Sequence, residues 1–208
     1  MTTTTQITLE EVQKATLDEG KVVVMPASWE EFVEFLPTTH YKVEFINNQI
    51  VIMGLAKLIH EWLVMHIGFI LKTLYANQEN VLVLGSNLGV SRPEKSFFNP
   101  DITIIKGKPD FYKDSKSIIT NPCLVVEILS ERTVSYDWET KLPRYQKIET
   151  IQEIILIDLH EKVITTINRT ADSKVWTMSI YDQDTDTVVI DGHTFPHPYF
   201  FQGMPVFE

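Results

Sequence analysis

Two carboxylates stand where a carboxylate needs a reason. Glu127 interrupts Cys123–Leu129 (CLVVEIL), an apolar run in which burying an unpaired charge costs several kcal/mol. Asp101 follows Pro100 and opens the β-rich run Asp101–Ile105 (DITII). A carboxylate at the end of one strand can meet another near the end of the adjacent strand, and two such oxygens can hold Mg²⁺. Singly, each has a plainer use. Asp after Pro is common at turns, and a strand Glu can face solvent or form a structural ion pair. The pair points to chemistry.

Several elements must position these two residues. The near-continuous apolar character of Cys123–Leu129 predicts a central strand covered on both faces. Val81–Leu84, Leu88–Ser91 and Asp101–Ile105 read as successive strands of one sheet, separated by the turn Gly85-Ser86-Asn87 and by a loop from Arg92 to Pro100. Leu58 to Tyr75 carries apolar residues at helical period and predicts the longest helix. Upstream, Ser28 and Glu31 form a capping box that opens a helix closed by Pro37. Tyr41–Met53 reads as a hairpin turning at Asn47-Asn48. Downstream, a polar helix over Tyr136–Glu149 precedes the strand pair Glu153–Leu159 and Val163–Asn168, with further β-runs at Trp176–Tyr181 and Thr187–Ile190.

The expected architecture is an α/β (α+β) fold with a central mixed sheet flanked by helices. One domain is expected across residues 1–208, with flexible polar residues at 1–20, a core over about 26–168 and a β-rich extension over 169–208. Cys123 has no partner for an intrachain disulfide and sits among apolar neighbours, which fits a reducing compartment. No apolar run is long enough to span a bilayer and the N-terminus lacks signal-peptide layout, so a cytoplasmic, membrane-free protein is expected. The net charge of −10 argues against nonspecific coating of nucleic acid, yet an acidic metal site with a local basic rim is compatible with it.

Other constellations fall short. His60 and His66 are six residues apart, whereas the zinc-protease pattern needs i and i+4. His193 and His197 flank Phe195-Pro196 without a Cys partner or finger spacing. Gly85-Ser86-Asn87 is a turn, not a phosphate loop. Lys141, Arg144 and Lys147 on their own read as a solvated basic face, and Ser135 and Asp137 as helix-start residues. The aromatic residues Tyr199, Phe200, Phe201 and Phe207 read as packing onto the sheet, and a homodimer is left open.

Asn99-Pro100-Asp101, then Leu124–Ser130 (LVVEILS), then Tyr136-Asp137 with Lys141-Leu142 and Tyr145 together resemble the Uma family of endonucleases. That family is abundant in cyanobacteria and belongs to the PD-(D/E)XK restriction-endonuclease-like superfamily. The resemblance extends over Tyr41–Ile50, the helix bearing His60 and the strand Glu153–Asp158, about residues 26 to 168 in all.

The resemblance implies that Asp101 and Glu127 bind a divalent metal, Mg²⁺ or Mn²⁺, at a catalytic centre acting on DNA. An ExK motif would place Lys at position 129, on the same strand face as Glu127, where this chain has Leu129. The family pattern implies that the following helix supplies the cation instead, as Lys141. Pro143 lies two residues later, where a helix interior would not accept it. Glu44 and His60 match supporting positions of the family. Specificity falls to loops, for which Arg92–Pro100 and Lys106–Lys116 are candidates. A competing reading keeps the nuclease fold and drops the activity, leaving an interaction or regulatory module.

Overall fold

The protein is described from a computed structural model covering residues 22–92, 95–131 and 133–206. The expected flexible segment 1–20 lies outside the described residues. Four strands and two helices come first: β1 (Val23–Pro26), α1 (Trp29–Phe35), β2 (Lys42–Ile46), β3 (Gln49–Met53), α2 (Leu58–Leu74) and β4 (Val81–Gly85). Five strands follow: β5 (Gly89–Arg92), β6 (Ser96–Phe98), β7 (Ile102–Lys106), β8 (Ile118–Ile119) and β9 (Leu124–Leu129). A π-helical segment, Tyr136–Lys141, runs into α3 (Leu142–Tyr145). The rest is β10 (Glu153–Asp158), β11 (Val163–Arg169), β12 (Trp176–Tyr181), β13 (Thr187–Ile190), β14 (His193–Pro196) and a 3-10 turn, His197–Phe201.

The chain divides into two compact units. The first holds Met1–Ala56 with Ser91–Asn99, the second Lys57–Val90 with Pro100–Glu208.

In the first unit, the capping box forms as expected: Glu31 N–H donates to Ser28 Oγ at 3.1 Å, and Ser28 N–H to Glu31 Oε2 at 2.6 Å. These bonds satisfy donors that the start of α1 would leave without partners. The helix buries Trp29 and Phe32 against Phe45, with ring centroids 5.4 and 5.1 Å away, and Phe32 also meets Phe97 at 5.2 Å. The β2–β3 hairpin turns where expected, with Asn47 and Asn48 at φ of 54° and 57°, the left-handed region that Asn tolerates. Strand order is β1-β3-β2-β6. The expected Arg92–Pro100 loop is corrected here. Ser96–Phe98 form β6, with Phe97 opposite Phe45 and residues 96–100 buried, so this stretch is no exposed specificity loop. Three residues are too few to show a period of two.

In the second unit, one sheet runs β12-β11-β10-β9-β7-β4. β9 is central and every residue in it is buried, as its apolar run requires. It pairs parallel with β10, setting Glu127 opposite Leu156, and antiparallel with β7, setting Val126 opposite Ile102. On one face, Leu63, Ile67, Ile70 and Leu71 of α2 join a core with Ile104, Leu124, Val126, Ile128, Ile155 and Ile157. The three runs expected as neighbours in one sheet are partly corrected. β4 and β7 do pair, but β5 pairs with β8 through Gly89↔Ile118 and belongs to a different sheet. β13 and β14 form a final hairpin with Asp191-Gly192 at its turn, both at positive φ.

Candidate active site

Register alone brings the two carboxylates together. Ile102 lies opposite Val126 on antiparallel strands, so the next step outward sets Asp101 beside Glu127, and facing residues in such a pair project from the same side. Both are buried, Asp101 at 3% and Glu127 at 2% exposure. Asp101 Oδ2 accepts the Ile128 backbone N–H at 2.9 Å, which fixes the carboxylate to the neighbouring strand, and it stands 3.2 Å from His60 Nε2. His60 belongs to the first turn of α2.

The cation arrives from the following helix. Lys141 Nζ lies 2.6 Å from Glu127 Oε1 and 3.2 Å from Asp137 Oδ1, with both side chains of each pair almost wholly buried. Tyr145 is fully buried, and its hydroxyl donates to the same Glu127 Oε1 at 2.5 Å. Asp137, Lys141 and Tyr145 follow a spacing of four, so successive turns present them to one side. Lys141 also lies over the Tyr136 ring at 5.9 Å.

Pro143 is reconciled by the π-helical turns before it. A proline ring clashes with the carbonyl four residues back in an α-helix, and the wider π turn relaxes that constraint. Pro143 thereby occupies the first turn of α3, where its missing N–H costs nothing.

Leu129 is buried at 3%, so the strand position of an ExK lysine is filled by core. Glu44 belongs to the first unit, where its Oε1 accepts the Asn99 N–H at 2.9 Å while Asn99 Nδ2 donates to the Val43 carbonyl at 2.6 Å. The structure therefore gathers Asp101, Glu127, Lys141 and His60 in one unit and holds Glu44 in the other. Asp137 and Tyr145 take part beyond what the sequence suggested. Asp137 looks like a helix-start residue until the helix places it four residues before a buried lysine.

Three carboxylates are paired with one ammonium and one imidazole: Asp101 with His60, and Glu127 and Asp137 with Lys141. That leaves negative charge for a hard cation, and the donors are oxygens. Among the described residues no three His, Cys, Asp or Glu side chains converge on one point. Mg²⁺ is commonly held by one or two carboxylates with waters and phosphate oxygens, and Asp101 and Glu127 are the side chains that could hold one here.

The sequence profile of the Uma2 family, described as "Putative restriction endonuclease", matches residues 29–195. The chain belongs to the Uma2 family. A second likeness is to the uncharacterized protein sll1609 of Synechocystis sp., 30% identical over 118 residues. That match covers 56% of this chain and 66% of the other protein's length. The fold of this Uma2 protein resembles a crystal structure from Anabaena variabilis described as "a putative nuclease belonging to DUF820". The TM-score is 0.71 at 16% identity, over 85% of this chain and 98% of that one. At that identity the likeness speaks for the fold. The mixed α+β architecture of this Uma2 chain is thus shared with a protein described as "a putative nuclease". Among its described residues no helix is long and apolar enough to cross a membrane.

Proposed function

We propose that this Uma2 protein is a divalent-metal-dependent DNA endonuclease that hydrolyses phosphodiester bonds at a PD-(D/E)XK-type centre. The observation that carries this reading is the buried pair Asp101 and Glu127, set side by side by strand register with Lys141 on Glu127. A buried ion pair is a weak source of stability, since apolar residues of similar volume often do as well or better, so its presence here speaks for use.

Asp101 and Glu127 would hold a divalent cation, which would supply an activated water and neutralise charge at the scissile phosphate. The chain's own groups orient that centre. Ile128 N–H and His60 hold the Asp101 carboxylate, Tyr145 holds Glu127, and Lys141 keeps a positive charge next to the reacting groups. The cation sits on a helix and not on the strand, so its ammonium can move on a four-carbon stem while Glu127 stays fixed in the sheet.

The test is cleavage of supercoiled plasmid and of single-stranded DNA with Mg²⁺ or Mn²⁺ at low salt, comparing wild type with Asp101→Ala and Glu127→Ala. Metal-dependent cutting by wild type, reduced at least about a hundredfold in both variants, supports the nuclease. Equal background in all three, with no metal bound, would sink it and leave the interaction-module reading.

A further inference from the structure

We propose that Lys141 is a displaceable occupant of the metal position, with Tyr145 and Asp137 as the positioning residues that let it leave without disturbing Glu127. The inference rests on the nuclease reading above and concerns how the same site is loaded. Lys141 Nζ and Tyr145 Oη converge on one oxygen, Glu127 Oε1, at 2.6 and 2.5 Å. A divalent cation and an ammonium that share a carboxylate repel one another, so arrival of the cation weakens the Lys141–Glu127 contact.

The ammonium already has a second acceptor. Asp137 Oδ1 stands 3.2 Å from Nζ, one helical turn back along the same face. Lys141 can therefore turn towards Asp137 and remain paired inside a buried site, which avoids the cost of an uncompensated charge. Tyr145, fully buried and neutral, keeps its bond to Glu127 through the exchange and preserves the direction of the carboxylate. The π-helical turns carrying Asp137 and Lys141 make the exchange local to one segment.

Lys141 then has two opposed effects. It weakens metal binding in the resting protein, and it supplies positive charge once displaced. The experiment measures Mn²⁺ affinity by electron paramagnetic resonance without DNA, the thermal midpoint with and without Mn²⁺, and cleavage at saturating Mn²⁺, for wild type, Lys141→Gln, Tyr145→Phe and Asp137→Asn. Lys141→Gln is expected to bind Mn²⁺ about tenfold tighter, to gain more thermal stability from Mn²⁺ than wild type does, and to lose cleavage. Tyr145→Phe is expected to bind about tenfold weaker and to recover most of its cleavage at saturating metal. Asp137→Asn, which removes the alternative anionic acceptor, is expected to bind weaker, by a factor that shrinks when combined with Lys141→Gln.

If Lys141→Gln is destabilised, the thermal readout still decides, because a purely structural lysine leaves a loss that Mn²⁺ does not restore. Unchanged or weaker Mn²⁺ binding by Lys141→Gln, in a wild type that binds Mn²⁺ and cuts DNA, overturns this inference and leaves the nuclease standing. A wild type that neither binds Mn²⁺ nor cuts DNA overturns both.

Discussion

Glu153 is a buried carboxylate that the proposed chemistry does not use, and its surroundings set a pH dependence. Its Oε2 accepts the Asp191 N–H at 2.8 Å, while Oε1 is buried without a hydrogen-bond partner. Burial, above all, raises its pKa to about 7; the Asp191 N–H bond opposes the rise, the Asp191 charge adds to it and Lys106 opposes it. Lys106 itself bonds both Asp191 oxygens at 2.7 and 2.6 Å, and Tyr75 Oη–H donates to Oδ2 at 2.8 Å. The folded pKa lies above the ordinary carboxylate value, so the folded state holds the proton more tightly than the unfolded chain does. The associated stability is fully present below about pH 4.5 and is lost as pH rises through about 7, a total of about 3 kcal/mol. Chemical denaturation from pH 5 to 8 should show that decline in wild type and a flatter profile in Glu153→Gln. Neither the setting of Glu153 nor the pairing of Asp137 with Lys141 was legible in the sequence, since the first depends on a hairpin turn 38 residues away and the second on a helical turn. The buried position of Glu127 was legible because an apolar strand makes a carboxylate conspicuous.

Among the elements, the long helix, the central strand and the β2–β3 hairpin follow directly from sequence pattern, because each is long enough for its period to repeat or has a turn of marked chemistry. Asn47 and Asn48 hold positive φ at that turn, and Asn48→Val should cost about 1–2 kcal/mol, read as a lower denaturation midpoint at unchanged slope. The short strands β6, β8 and β14 escaped because two to four residues carry no period, and their pairing is decided by distant partners. The π-helical turns escaped for another reason. Nothing in Tyr136–Lys141 distinguishes a wide turn from an ordinary one until Pro143 demands room. Replacing Pro143 by Ala should relieve that demand, so cleavage falls through a displaced Lys141 while the far-ultraviolet circular dichroism stays unchanged.

At the scale of the molecule, the chain enters the first unit twice and the second twice, with no Pro- or Gly-rich linker at the crossings. We propose that both units unfold together, as the single domain read from the sequence. Trp29 lies in the first unit and Trp62, Trp138 and Trp176 in the second, so Trp29→Phe silences one unit's fluorescence. Denaturation midpoints of wild type and variant, followed by fluorescence and circular dichroism, should coincide within each protein; separate transitions would refute the proposal. One side chain of the second unit has a consequence of a different kind. Arg169 donates to the carbonyls of Ile151, Ser173, Gln146 and Ile148 at 2.7 to 3.0 Å, and stacks on Trp176 at 4.3 Å. A lysine has three donors and no planar face, so it reproduces neither the fan of bonds nor the stack. For mutational drift this makes Arg169 a fixed point: the exchange of one basic residue for another, mild on most surfaces, here unties the chain just beyond the helix that carries Lys141 and Tyr145.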